Sequence, residues 1–99
     1  MTASVAHASR AHSSELVRAL FHVTAAADPG VLPRLIEPLA KTGHVPTRLH
    51  ASAESGDGSE LSVDLRVAAL DRTVAERMAG QLRAVVGVRA VIAVFEAET

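Results

Sequence analysis

The stretch VPTRLHASAESGDGSELSVDLRVAAL (residues 45–70) lies near the middle of the chain and contains two segments of alternating apolar and polar residues. Alternation with a period of two is typical of a strand with one buried face. The inward side chains of the second segment are Leu61, Val63, Leu65 and Val67. Because the Gly-rich SGDG between the segments has turn chemistry, the stretch predicts a β-hairpin. Pro46 lies inside the first segment and favours an edge strand there.

A helix is predicted immediately before this hairpin, in DPGVLPRLIEPLAKTG (residues 28–43). Asp28 is expected to cap the helix, with Pro29 at the first helical position and Gly43 at the end. The apolar stripe of the helix comprises Leu32, Leu35, Ile36 and Leu39. Pro38 is expected to bend the helix, because proline removes a backbone donor from the helical ladder.

A second helix is predicted after the hairpin, starting at a capping box of Thr73 and Glu76 and ending at Gly87. Its buried face is expected to comprise Ala75, Met78, Ala79, Leu82 and Val86. The outermost segments are predicted to be strands, at residues 16–26 and 88–98. The first alternates in the same way as the hairpin, and the last is apolar on both faces.

The element order is therefore strand, helix, strand, strand, helix, strand, which predicts an α+β protein with a ferredoxin-like fold. In this fold a four-stranded antiparallel sheet carries two helices on one face. Right-handed crossovers place the first and third strands in the centre, so the Pro46 strand and the last strand form the edges. Residues 15–98 are expected to form this domain, and residues 1–14 are expected to be a disordered tail because they have no apolar anchor.

Two helices cover only one face of such a sheet, so the other face is expected to be open. It is predicted to carry one apolar set of the last strand together with Leu16, Arg18, Leu20, His22, Arg48, His50, Asp64 and Arg66. Small domains with an open sheet face and free edges often pair with another copy. A homodimer through a sheet edge or the open face, or a docked partner, is therefore predicted.

The composition excludes several classes of function. The net charge is -1, from ten basic and eleven acidic residues, and there is no Trp, no Tyr and no basic run, which disfavours nucleic-acid binding. No segment has the long apolar run of a membrane span or the apolar core of a signal peptide. The chain has no cysteine, so a reducing, cytoplasmic location is expected. Its Arg- and Ala-rich composition is typical of a GC-rich bacterial genome.

The motif around the first helix, DPGVLPRLIEPLAKTGHVP, resembles that of the ACT domain, a ferredoxin-like module that senses amino acids and other small ligands. The matching residues are Pro29, Gly30, Val31, Leu32, Arg34, Leu35, Leu39, Lys41 and Gly43. Within this family, a short free-standing chain with GHVP after the helix most resembles the small regulatory subunit of acetolactate synthase in its short form. The resemblance implies a non-catalytic regulatory protein of branched-chain amino acid synthesis, an amino-acid effector and a large catalytic subunit as partner.

The resemblance also implies a ligand site at the start of the first helix. Its expected residues are Asp28, Gly30, Val31, Leu32, His44 and Val45. Gly30 lets a ligand approach the backbone, and the helix N-terminus offers free N–H groups to a carboxylate. In the family the ligand lies at the seam between two domains, against the second strand of the neighbour. The chain departs from the family pattern at Ala27, where an acidic or amide residue is usual, and at Val45, where asparagine is usual.

Two other functions remain open from the residues. A small enzyme with a dimeric α+β barrel could use His22 on the open face, and a plain dimerisation module would bind no ligand. The histidines have no metal-ligand spacing and lie on different predicted strands, so no catalytic residue, metal site or cofactor is predicted.

Overall fold

The computed structural model describes residues 15–53 and 56–98, so the predicted disordered tail lies outside the described residues. The elements in chain order are β1 (Leu16–Ala26), α1 (Val31–Lys41), β2 (Arg48–Ala53), β3 (Glu60–Asp71), α2 (Arg72–Arg83) and β4 (Val88–Ala97). The four strands form one antiparallel sheet with the order β2-β3-β1-β4. This confirms the predicted ferredoxin-like fold, with the first and third strands in the centre. Among the described helices, none is both long and apolar enough to cross a membrane.

The core lies between one face of the sheet and the two helices, because each element buries the apolar side that its sequence period creates. Phe21 of β1 is fully buried and meets Phe95 of β4 edge to face, with the ring centroids 6.2 Å apart. Most predicted inward residues of β3 and both helices are buried in this core, while Leu32, Ile36 and Leu61 are partly buried and pack against it. Val86 is the one predicted residue that is outside the core and largely exposed. Val86 is 77% exposed because α2 ends before reaching it.

The predicted start of α1 is wrong by two residues. Asp28 does not cap the helix with its side chain, and Pro29 lies in the preceding turn. The backbone carbonyl of Asp28 instead accepts from the Val31 N–H at 3.0 Å, which closes a turn and makes Gly30 the N-cap. The predicted stop is confirmed, since Gly43 follows the helix with a φ of 78°.

The predicted start of α2 is also wrong, because Asp71 caps the helix and not Thr73. Asp71 ends β3 with extended backbone (φ −60°, ψ 138°), which is the conformation that an N-cap requires. Its carboxylate accepts from the Thr73 N–H at 2.8 Å, so the helix follows the strand without a loop. At the other end, Gly87 does not stop the helix; it lies in the turn before β4 with a φ of 97°.

The strand predicted around Pro46 is an edge strand, as expected, but Pro46 itself lies outside it. β2 is an edge strand, but it begins at Arg48. The chain first closes the end of α1 through the bond from the His44 N–H to the Leu39 carbonyl (2.9 Å). It rejoins the sheet only at Thr47, whose N–H donates to the Arg66 carbonyl at 2.7 Å.

Candidate ligand-binding site

The turn between β1 and α1 is fixed by backbone hydrogen bonds on its strand side. The Ala27 N–H donates to the Ser59 carbonyl at 3.0 Å, and the Asp28 N–H donates to the Ala26 carbonyl at 2.8 Å. With the Val31 N–H bonded to the Asp28 carbonyl, these contacts hold the backbone from Ala26 to Val31 in one arrangement. A ligand at this turn would therefore meet a preformed backbone.

Two backbone donors remain available at the start of α1. Within the described part of the chain, the N–H groups of Gly30 and Leu32 have no hydrogen-bond partner. Pro33 follows them in the first turn and has no N–H at all. The helix therefore offers two free N–H groups at its positive end. An ordinary helix N-terminus leaves about four N–H groups without a partner in the helix. The N–H of Val31, a predicted ligand-binding residue, is instead bonded to the Asp28 carbonyl within the turn.

A shallow depression of about 250 Å³ lies beside this turn. Its lining comprises Ala27, Asp28, Pro29, Leu32 and Leu61. Asp28 is the one charged residue in that lining, and its carboxylate makes no hydrogen bond or ion pair with the described residues. The depression therefore combines an apolar wall with one free negative charge, next to the two free backbone donors.

Arg34 brings a positive charge to the same turn. Its guanidinium folds back over Gly30, where a Cβ added to the glycine would lie 3.3 Å from both Nη atoms. Arg34 makes no ion pair within the described residues, so its charge is available to a ligand. In the sequence Arg34 stands out only as part of the motif, because the direction of a long side chain on a helix surface leaves no signal there.

The remaining predicted site residues, His44 and Val45, lie at the opposite end of α1. His44 Nδ1 is 2.8 Å from the Thr42 hydroxyl oxygen, and Val45 is 80% exposed. Since α1 has 11 residues at a rise of about 1.5 Å each, roughly 16 Å separates them from the turn. One copy of the chain therefore brings Asp28, Gly30 and Leu32 together and holds His44 and Val45 apart from them.

The open face of the sheet has the predicted polar character, and its described charges are largely paired. Asp64 lies opposite His50 across the hairpin, and its Oδ2 accepts from Arg48 Nε at 3.3 Å and Arg66 Nη2 at 3.4 Å. His22 Nε2 lies 3.3 Å from the Ser62 hydroxyl. His22 lines neither the depression beside the turn nor a second one between the two helices, and no group of three metal-ligating side chains occurs among the described residues.

Comparison with known proteins identifies the kind of module. Residues 12–98 match the family model described as an ACT-like domain. The fold is similar to the ACT domain of GTP pyrophosphokinase from Chlorobium tepidum, with a TM-score of 0.66 and 14% identity over 80% of this chain and 99% of that one. A homoserine dehydrogenase from Thiobacillus denitrificans matches with a TM-score of 0.68 and 13% identity, over 84% of this chain and 18% of the dehydrogenase.

The C-terminal domain of the MgtC protein from Mycobacterium tuberculosis is also similar, with a TM-score of 0.64 and 13% identity over 82% of this chain and 88% of that domain. None of the curated proteins matches the chain. At these identities the structural likenesses establish the fold, and the family match covers nearly the whole chain.

Proposed function

Because the chain belongs to the ACT-like domain family, we propose that it is a non-catalytic regulatory protein that binds a small amino acid at the turn between β1 and α1. The proposal includes a homodimer, in which ligand binding favours one arrangement of the two copies. The observation that carries it is the free Asp28 carboxylate beside the free N–H groups of Gly30 and Leu32.

These groups match an α-amino acid in charge. The ligand carboxylate would accept from the Gly30 and Leu32 N–H groups and pair with the Arg34 guanidinium, at the positive end of α1. The ligand ammonium would pair with Asp28. An aliphatic side chain would cover Leu61, in the apolar wall of the depression. Valine, leucine and isoleucine meet these requirements.

Titration calorimetry with valine, leucine and isoleucine tests this proposal. We expect a binding isotherm for at least one of them, and absence of heat up to millimolar concentration would rule out amino-acid sensing. Asp28→Asn is expected to weaken binding by roughly 10- to 100-fold, since a charge-assisted hydrogen bond contributes about 1.5–3 kcal/mol. Glu76→Gln is the matched control, because Glu76 is an exposed acid on α2 and does not line the depression.

The proposed partner is the large catalytic subunit of acetolactate synthase, which the resemblance of the GHVP segment supports. The test is to mix the purified chain with that enzyme and to measure both co-elution and the synthase rate with and without valine. A rate that rises on mixing and falls with valine supports the subunit role. An unchanged rate together with separate elution would exclude this partner and leave ligand binding to be judged by calorimetry.

A plain dimerisation module is the second candidate, and a specific feature of the site favours it. Ala27 lines the depression without any polar group, and Val45 presents only methyl groups where the family usually has an amide. Two polar contacts of a typical ligand are therefore missing. A dimer that shows no heat with any of the three amino acids, and no change in a partner enzyme's rate, would support this second function.

A further inference from the structure

A groove of about 330 Å³ lies between α1 and α2, away from the turn where the amino acid is proposed to bind. One wall is a stripe along α1, formed by Arg34, Glu37, Pro38 and Lys41. These residues are three or four positions apart, which places them on one side of the helix. The groove and the depression beside the turn share no lining residue, so they are separate cavities.

Small side chains and the end of α2 open this groove. α2 ends at Arg83, so Ala84 and Val85 of the opposite wall lie in the turn that follows the helix. Ala84 fills little of the gap because it carries only a methyl group. The floor is apolar, since Pro38 is buried and Val85 is half-buried. Pro38 also brings no N–H to this floor.

The rim of the groove carries one unmatched positive charge. Glu37 Oε2 lies 3.8 Å from Lys41 Nζ, so this acid and this base offset each other along α1. Arg34 makes no ion pair with the described residues. The polar residue of the opposite wall, Gln81, is neutral. A ligand in the groove therefore meets a net positive rim, which favours an anion.

The rim and the floor together define the chemistry of the ligand. A guanidinium binds a carboxylate through two parallel hydrogen bonds, so Arg34 suits a carboxylate better than a spherical anion. A short hydrocarbon body would cover the floor, and each buried CH₂ group adds to the affinity. The volume is at the lower end of small-molecule sites, which span about 300–1,000 Å³, so the ligand is small.

We propose that the groove between α1 and α2 binds a small aliphatic carboxylate. Arg34 and Lys41 hold the carboxylate at the rim, and Pro38 and Val85 contact the hydrocarbon body at the floor. The proposal also gives Pro38 a function, because its ring forms part of this floor.

Arg34 links the groove to the candidate amino-acid site. Its guanidinium lies over Gly30 at the turn, and Arg34 also lines the groove. A bidentate contact with a carboxylate in the groove orients the guanidinium away from the turn. Each ligand should then weaken the other by the same factor, because coupling between two binding sites is reciprocal. This coupling rests on the proposed function, whereas the groove site does not.

Two-dimensional NMR of the isotope-labelled chain tests the site with butyrate as the probe. We expect the amide signals of Lys41, Ala84 and Val85 to shift and to saturate at millimolar butyrate. Butyramide has the same hydrocarbon body without the charge, and sulfate has charge without the body, so neither should give a saturable shift there. The absence of a saturable shift with butyrate would overturn the site. Equal shifts with sulfate or butyramide would overturn the ligand class.

Two pairs of variants locate the bound butyrate. Ala84→Leu should abolish binding by filling the groove, and Ala40→Leu is the matched control at an exposed position of α1 outside the lining. Lys41→Gln should weaken binding by roughly two- to fivefold, since exposed ion pairs are weak. Arg77→Gln is its control, because Arg77 is an exposed base on α2 outside the lining. Equal butyrate affinity in Ala84→Leu and Ala40→Leu would overturn the location.

Titration with valine separates this site from the proposed function. If both sites exist, saturating butyrate should raise the Kd for valine, and Arg34→Gln should remove this effect. Asp28→Asn should lose valine and keep the butyrate shifts, since Asp28 does not line the groove. Valine binding that ignores butyrate would overturn the sharing of Arg34. Butyrate shifts in a chain that gives no heat with valine would support the groove and remove amino-acid sensing.

Discussion

Gly87 connects the sheet to the candidate site, and replacing it with alanine should destabilise the protein markedly. Its φ of 97° lies in a region that residues with a Cβ rarely adopt. A Cβ at this position would lie 3.1 Å from a methyl carbon of Val31, the first residue of α1. The Gly87 carbonyl also accepts from the Ala26 N–H at 2.8 Å, directly before the turn.

The magnitude follows from two terms. Holding a non-glycine residue at positive φ costs about 1–2 kcal/mol. The contact with Val31 adds to this, because Val31 is fully buried and its β-branched side chain has little freedom to move. We therefore expect Gly87→Ala to lower the free energy of unfolding by about 2–3 kcal/mol. For a domain of this size, each kcal/mol lowers Tm by roughly 4–8 °C.

Urea unfolding followed by circular dichroism measures this effect as a lower transition midpoint at an unchanged slope. Gly80→Ala is the matched control, since Gly80 lies in α2 with open space around the position of its Cβ. It should raise the free energy of unfolding by about 0.5–1 kcal/mol, because alanine is the better helix former. A Gly87→Ala protein as stable as the wild type would refute the reasoning from φ and from the Val31 contact.

Three further substitutions have definite expected outcomes. Asp71→Ala should lower the free energy of unfolding by about 1 kcal/mol, because it removes the side chain that caps α2. Thr73→Ala should change the free energy of unfolding by no more than about 0.5 kcal/mol. Equal urea midpoints for the two variants would contradict the assignment of Asp71 as the cap. Pro38→Ala should raise the free energy of unfolding by roughly 1 kcal/mol, since the helix regains a donor but loses part of a buried ring. A lower urea midpoint would show that the packing of α1 needs the proline ring.

The order of the elements could be predicted because the apolar period in each segment matches the face that it buries. β1 is predicted residue for residue; β3, predicted at residues 59–70, and β4 agree within one residue at each end. The helix starts could not be predicted in the same way. Asp71 and Thr73 are both good caps, and only the end of β3 in the folded sheet selects Asp71. Likewise, the bonds within the turn after β1 move the start of α1 to Val31.

The irregular parts of the fold also left no sequence signal. The ladder between β1 and β3 shifts register opposite Arg18, where Ala69 adopts a φ of 58°. Alanine gives no indication of a bulge, since glycine or asparagine would be expected at positive φ. The Ala69 N–H donates to a carboxylate oxygen of Glu98 at 2.9 Å, a contact distant in sequence that helps to hold this conformation. Such features depend on tertiary contacts that a local pattern cannot contain.

The separation of the predicted site residues limits how the ligand and the dimer can be related. His44 and Val45 lie beside the start of β2, at the opposite end of α1 from the turn. If the ligand touches both groups, it must lie between two copies of the chain, with the turn of one copy beside the β2 edge of the other.

We then expect valine, or whichever amino acid binds, to strengthen the association between copies of the chain. Light scattering with and without the amino acid measures this increase in mass directly. If the ligand binds without any increase in mass, the turn alone holds it, and His44 and Val45 are not part of the site. In that case Asp28, Gly30, Leu32 and Arg34 account for recognition within a single copy of the chain.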